Sequence, residues 1–491
     1  MKLLLLILTS FIFCFFFLLH GLNLYRTRRL PPGPLGFPII GSLLELGPKP
    51  HESLAKLAHK HGPFMTIKLG TITSVIASTP DAAKDVLQRN DGACSGRTMP
   101  DVATALDHPE AGILWMPPDE TWRAIRKALN IYLTNPKKLH SNMAIRHNVV
   151  QGALDFLRES ARKRSVVDVG KLVFSVSLNQ MSNTFISQNV INYNDSNSVE
   201  RFKMAMDTVK KTHGKFNITD MFPLLKPFDP QNLRRQMKMA HHLFDDVVEV
   251  ALRERRKHRE LKMQRYGDML DSLLDYSQEN KDKFSLIHVK SLIVDSFLAG
   301  ADTSPRTTSW AMTEMLFNPD VYSRVRKEVS EVVGEDGKVH EAKILDLPYL
   351  HAVIKETMRL HPPIPLLAPH KTMKEVKLGD FIIPTNTQIL VNAWAVARDP
   401  NYWENPSVFM PGRFLGNKVD YKGQHFQFIP FGSGRRMCPG TPLAHRMVSL
   451  MVASFVYHFD WNLHHKVDMD GNLDLSTQFI ATPIHCLNSC R

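Results

Sequence analysis

Cysteine is scarce in this chain: five in 491 residues, at positions 14, 94, 438, 486 and 490. So few, odd in number and scattered, they make no disulfide framework and point to a reducing compartment. Paired-cysteine fingers are missing too, and the basic cluster from Arg253 to Lys262 has no interleaved aromatics. The net charge of +13 is therefore not read as a nucleic-acid module; an anionic membrane face or an acidic protein partner remains. No flavin-binding or iron-sulfur pattern, internal repeat or low-complexity tract interrupts the sequence. Strands and helices do not alternate in βαβ order, which argues against a doubly wound sheet. What is abundant is helical apolar patterning. Runs such as Met143 to Arg162, Ser285 to Phe317, Pro319 to Val333 and Tyr349 to Leu360 predict long helices, and short patches at Met65, Ser74, Phe381 and Gln388 predict strands. The expected class is mainly α with small β-sheets, in one large domain over residues 42–491.

The N-terminus has its own pattern. Leu3 to Leu24 is nearly continuously apolar and is followed by Arg26, Arg28 and Arg29. That predicts a transmembrane anchor over residues 1–25 with the body of the protein in the cytosol. A cleaved secretory signal, the competing reading, would have a shorter apolar core and a small-residue cleavage site. Residues 26–41, with the run PPGPLGFP, read as a basic and proline-rich hinge. Two sequons, at Asn194 and Asn217, would stay bare on this topology.

Near the C-terminus, FGSGRRMCPG places Cys438 where a glycine-rich loop meets the apolar run Leu443 to Phe459. An inert buried thiol is the default for a lone cysteine. Here, however, the N–H groups and positive end of the following helix, with Arg435 and Arg436 nearby, favour a thiolate. Such a thiolate is a nucleophile or a ligand for a soft metal. Three weaker signals stand upstream. Trp122 and Arg126 are four apart, as in a surface pair; Glu356 and Arg359 share one helix face, as an exposed ion pair would. The third is AGADTSP, where Gly300, Asp302, Thr303 and Pro305 fall within one apolar helix, and Pro305 is expected to disturb it.

Taken together, Trp122-xxx-Arg126, AGADTS, Glu356-xx-Arg359 and Phe431-xx-Gly434-x-Arg436-x-Cys438-x-Gly440 resemble the cytochrome P450 monooxygenases over essentially the whole chain. The resemblance implies haem b with Cys438 as the axial thiolate, shielded by Phe431 and approached by the backbone at Gly434 and Gly440. Trp122, Arg126, His370 and Arg436 match positions that bind haem propionates. Glu356, Arg359 and Arg413 match a structural ion triad, although Gly412 stands where a glutamate is usual and implies a looser loop. Asp302 and Thr303 match the pair that delivers protons during dioxygen activation.

Within the family, the segments PPGPLGFPIIGSLLELGPKPHESLAKLAHKHGPFMTIKLG and PFGSGRRMCPGTPLAHRMVSLMVASFVYHFDW are similar to those of the plant microsomal, geraniol 8-hydroxylase (terpenoid hydroxylase) group. That implies hydroxylation of a small lipophilic terpenoid by O2, with electrons from an NADPH-cytochrome P450 reductase that carries the flavins, at the endoplasmic reticulum membrane. The alternatives are a phenolic or flavonoid substrate, or a haem-binding protein without turnover. Pocket positions implied by the resemblance are Val102, Leu106, Ile113, Leu114, Phe297, Leu298, Ala301, Ile364, Leu366, Leu367 and Phe479; none carries a charge to hold an anionic substrate. Pro305, Arg306, Ser309 and the ending after Phe479 depart from the family's pattern.

Overall fold

The computed structural model describes residues 30–107, 109–214, 216–334, 336–463 and 480–485. The anchor reading and Phe479 fall outside these residues. Among the described residues no helix is long and apolar enough to cross a membrane.

The longer helices are α1 (Pro50–His61), α2 (Glu120–Leu129), α3 (Met143–Arg162), α4 (Val169–Ile186), α5 (Ser196–Gly214) and α6 (Leu233–Glu260). They continue as α7 (Met269–Glu279), α8 (Leu286–Phe317), α9 (Pro319–Val332), α10 (Pro348–Leu360) and α11 (Thr441–His458). Their starts are written locally. Asp119, Asp168 and Asp268 accept N–H bonds from the first turns of α2, α4 and α7, Ser285 and His288 form a capping box on α8, and Pro319 and Pro348 open α9 and α10.

The central helix is α8, which α4 meets along an apolar face; Phe185 and Phe297 touch edge to face at 5.8 Å. A helix apolar on nearly every side, as α4 is, belongs inside a core. The expected disturbance at Pro305 does not appear as a break, since α8 runs continuously through it. The hydroxyls of Thr303, Thr307 and Thr308 bond the carbonyls of Ala299, Thr303 and Ser304 at 2.9, 3.1 and 3.0 Å, backing the helix on both sides of the proline.

The strands are β1 (Phe64–Leu69), β2 (Ile72–Ala77), β3 (Gly96–Arg97), β4 (Val167–Asp168), β5 (His370–Lys371), β6 (Val376–Leu378), β7 (Phe381–Ile383), β8 (Gln388–Val391), β9 (Phe459–Leu463) and β10 (Ile480–His485). They form sheets ordered β1-β2-β8-β5-β3, β4-β10-β9 and β6-β7. Only β2 and β8 pair in parallel among them. The first sheet carries β3 and β5, and so Arg97 and His370, to the site.

The described part of the hinge is fastened to the body. Thr66 N–H donates to Pro32 O at 2.9 Å and Gly70 N–H to Ile40 O at 3.2 Å, and just past the hinge Ser42 N–H donates to Lys68 O at 2.6 Å. A proline-rich stretch keeps its carbonyls free as acceptors, and β1 uses them.

Candidate active site

Cys438 lies between a 3-10 turn, Gly434–Arg436, and the start of α11. Gly434 has φ +70, and a Cβ there would sit 2.1 Å from Leu87 O, so no side chain fits. The Cys438 N–H donates to Phe431 O at 3.0 Å and closes the loop. Protein encloses the sulfur, yet the residue is exposed, so it faces an interior space. Burial pushes the thiol pKa up; the Gly440 and Thr441 N–H groups, the Thr441 hydroxyl and the Arg126 charge pull the other way. The helix-start reading of the sulfur's surroundings thus matches its N–H neighbours.

Beside it lies a cationic cluster. Arg126 donates to Met437 O, and Arg436 donates to the carbonyls of Ser95 (2.9 Å), Ile113 (3.3 Å) and Met116. Trp122 Nε1 donates to Ile113 O at 3.1 Å. His370 donates from Nδ1 to Cys94 O at 2.8 Å, because a carbonyl only accepts. Burial pushes all three groups down, His370 to about 3 with help from Arg97 and Arg436, Arg97 to about 9 with help from Arg436, and Arg436 to about 10 with help from Arg126 and Arg435. Trp122 is 5% exposed, so the surface-pair reading of Trp122 and Arg126 is overturned by their packing under the cysteine loop.

Arg97 was not singled out from sequence. It donates to Ala368 O and Pro369 O, and its Nε is buried with no partner. Buried guanidinium groups held only by neutral carbonyls, one with an orphan N–H, suit an anionic group. The donor set beside the enclosed sulfur therefore fits a dicarboxylate cofactor such as haem. The signal in the sequence was one arginine among small residues, GACSGRT.

On α8, Ala299 is exposed while Phe297 and Ala301 are buried at 1% and 0%. The open face of the helix is thus the Ala299 and Thr303 side. Gly300 serves packing: a Cβ there would come within 2.9 Å of the Met181 sulfur on α4. Asp302 is clamped between Lys210 of α5 at 3.0 Å and Arg306 at 3.8 Å, and Arg306 also donates to Pro363 O at 3.2 Å. Asp295, another residue not anticipated, accepts the Ile113 N–H at 3.0 Å and has its pKa pushed up to about 6 by burial. It too was visible in sequence, as a lone acid within the apolar run LIVDSFL.

The residues expected at the pocket differ in burial. Val102, Phe297 and Ala301 are 1%, 1% and 0% exposed and pack in the main apolar core. Leu366 packs with the cluster around Leu54 and Met65, and Leu367 with the one around Val75 and Leu87. Leu106, Ile113 and Leu298 are partly buried, while Leu114 and Ile364 are exposed.

Glu356 and Arg359 are not an exposed pair. Both are fully buried, with Arg413 Nε donating to Glu356 Oε1 at 3.0 Å. The loop around Gly412 is closed rather than loose: Arg413 Nη1 donates to Glu404 O at 2.8 Å and Leu415 N–H to Gly412 O at 3.1 Å.

Comparison with known proteins accords with this geometry. The cytochrome P450 family model matches residues 31–485. Geraniol 8-hydroxylase of Catharanthus roseus is 40% identical over 478 residues, covering 95% of each chain, and ferruginol synthase of Isodon rubescens is 39% identical over 443 residues, covering 90% of each. A zebra fish cytochrome P450 solved with progesterone superposes with a TM-score of 0.75 at 23% identity, over 89% of this chain and 100% of that one. The chain belongs to the cytochrome P450 family and is a monooxygenase.

Proposed function

We propose that the protein hydroxylates a small terpenoid, with Cys438 as the residue whose thiolate would hold the iron of haem b. The observation that carries the ligand reading is the enclosed yet open sulfur beside a buried cationic cluster whose Arg97 Nε lacks a partner. Arg97, Arg126, His370, Arg436 and Trp122 would hold the propionates, exchanging neutral carbonyl partners for carboxylates. When bound, the haem supplies reductive activation of O2 and insertion of one oxygen atom into a C–H bond. Asp302 would pass protons toward the open Thr303 side of α8, and the ion pairs to Lys210 and Arg306 hold its side chain in place there.

The terpenoid reading is supported by the uncharged side chains Leu106, Ile113, Leu114, Leu298 and Ile364 and by the likeness to geraniol 8-hydroxylase and ferruginol synthase. Electrons would come from an NADPH-dependent reductase.

For the membrane, we read residues 1–25 as an anchor, 26–41 as the segment joining it to the body, and 42–491 as a cytosolic catalytic domain at the endoplasmic reticulum. Leu35, Phe37, Ile39 and Leu44 are exposed, as are Leu224, Leu225 and Phe228. The two groups belong to neighbouring segments, because Thr71 bonds Met221 O through its N–H at 3.0 Å and its hydroxyl at 2.8 Å. Exposed apolar side chains gathered this way suit a lipid surface. The Asn217 sequon is unsuited to glycosylation, since its side chain is buried and accepts the Thr219 N–H.

The test is the carbon monoxide difference spectrum of the reduced protein in microsomes carrying a plant reductase, followed by a panel of monoterpenes, diterpenes and phenolics. A red-shifted Soret band that disappears in Cys438→Ser, and turnover confined to terpenes, is expected. Turnover of phenolics alone would overturn the substrate reading.

A further inference from the structure

Against the cysteine loop lies a polar pair that the chemistry above does not use. The Tyr421 hydroxyl is 2.6 Å from His445 Nδ1, which projects from α11. Burial, together with His351, pushes His445 down to about 4, and burial with Asp420 pushes the Tyr421 phenol up. At neutral pH the phenol is therefore the donor and a neutral imidazole the acceptor. His351 of α10 lies against His445 with ring centroids 4.5 Å apart and is itself fixed by donating from Nε2 to Leu345 O at 2.7 Å.

The same turn of chain supports the loop above it. The Tyr421 ring meets Phe431 edge to face at 5.4 Å, and Phe431 O is the acceptor for the Cys438 N–H at 3.0 Å. Gly423 O accepts the Ser433 hydroxyl at 2.6 Å. A single phenol–imidazole bond thus fixes the ring on which Phe431 rests, and so joins α10, α11 and both ends of the loop that presents the sulfur.

We propose that Tyr421 and His445 are positioning residues for the cysteine ligand, a clamp that keeps the Phe431–Cys438 loop in the shape thiolate ligation requires. This rests on Cys438 being the iron ligand. The clamp acts on the lifetime of that ligation, because a buried phenol or imidazole left without its partner destabilises the one arrangement in which Phe431 covers the sulfur.

The experiment follows the full-length, haem-loaded protein, reduced and bound to carbon monoxide, in moderate urea. The rate at which the red-shifted Soret band converts to a blue-displaced one is measured for Tyr421→Phe, His445→Leu, the double variant and His445→Asn. Each of the first two is expected to speed conversion by about twofold to tenfold. The double variant should be no faster than the faster single one, and His445→Asn, whose amide oxygen can accept the phenol, should return to near the wild-type rate. Wild-type conversion rates in the singles, a double variant equal to their product, or an asparagine variant as fast as the leucine one would overturn the clamp. Should His445→Leu retain no haem, Tyr421→Phe, which keeps the ring against Phe431, and His445→Asn, which keeps an acceptor for the phenol, still decide. Absence of the red-shifted band in the wild type would overturn the ligand reading and the clamp with it; its presence with unaltered Tyr421→Phe kinetics would overturn the clamp alone.

Discussion

Arg359 presents Nε and Nη2 to the two carboxylate oxygens of Glu356 at 2.7 and 2.8 Å, a fork-to-fork pair with both side chains 0% exposed. Arg359 also donates to Ala397 O, Pro406 O and Val408 O, so one guanidinium joins α10 to two stretches of the chain leading to the cysteine loop. Glu356→Ala would leave that charge buried and unpaired, at a cost of about 3–5 kcal/mol. Urea unfolding of the haem-loaded protein checks this, with Arg413→Ala, at the more exposed end of the triad, expected to cost less.

Arg97→Leu should act differently on the apo and loaded states. Without haem it relieves the repulsion from Arg436 and removes an orphan N–H, which offsets the loss of the bonds to Ala368 O and Pro369 O, so apo stability changes little. With haem it removes a charge-assisted bond, and loss of haem to an acceptor protein should be faster by about tenfold to a hundredfold.

Asp302→Asn keeps the shape of the α8 side chain but cannot take up and release a proton. Turnover should fall by about a hundredfold or more, in the range general acid–base groups supply, while substrate-induced spectral changes keep their amplitude and midpoint. A loss of substrate binding instead would assign Asp302 to the pocket.

Asp295 gives a pH prediction. Its folded-state pKa, pushed up to about 6 from the ordinary 3.8 by burial, means the unfolded chain ionises first as pH rises. Stability tied to this residue is present below pH 4 and is lost progressively between about pH 4 and 6. Asp295→Asn, whose amide oxygen can still accept the Ile113 N–H, should flatten this window and gain about 1–3 kcal/mol at pH 7. Thermal midpoints across that range measure it.

Much of the architecture could be read along the chain. The apolar stretch expected from Met143 to Arg162 is α3 with those same ends, because periodicity and composition are local properties. The cysteine loop was legible for the same reason: glycines, arginines and the following helix lie within a few positions of Cys438. Pro305 was misjudged, since a proline removes one hydrogen bond but the surrounding core holds α8 continuous across it. Glu356 and Arg359 were visible as a pair but not as a buried one.

The sequence by itself determined local features: a thiol at the start of a helix and an acid beside a hydroxyl on an apolar helix. Only the tertiary structure decided their partners. Arg97 meets His370 and Arg436, Lys210 meets Asp302, and Tyr421 meets His445, each across chain separations that no local pattern encodes. Burial and pairing energies depend on what packs from elsewhere in the chain, so the surroundings of these groups were settled by the fold.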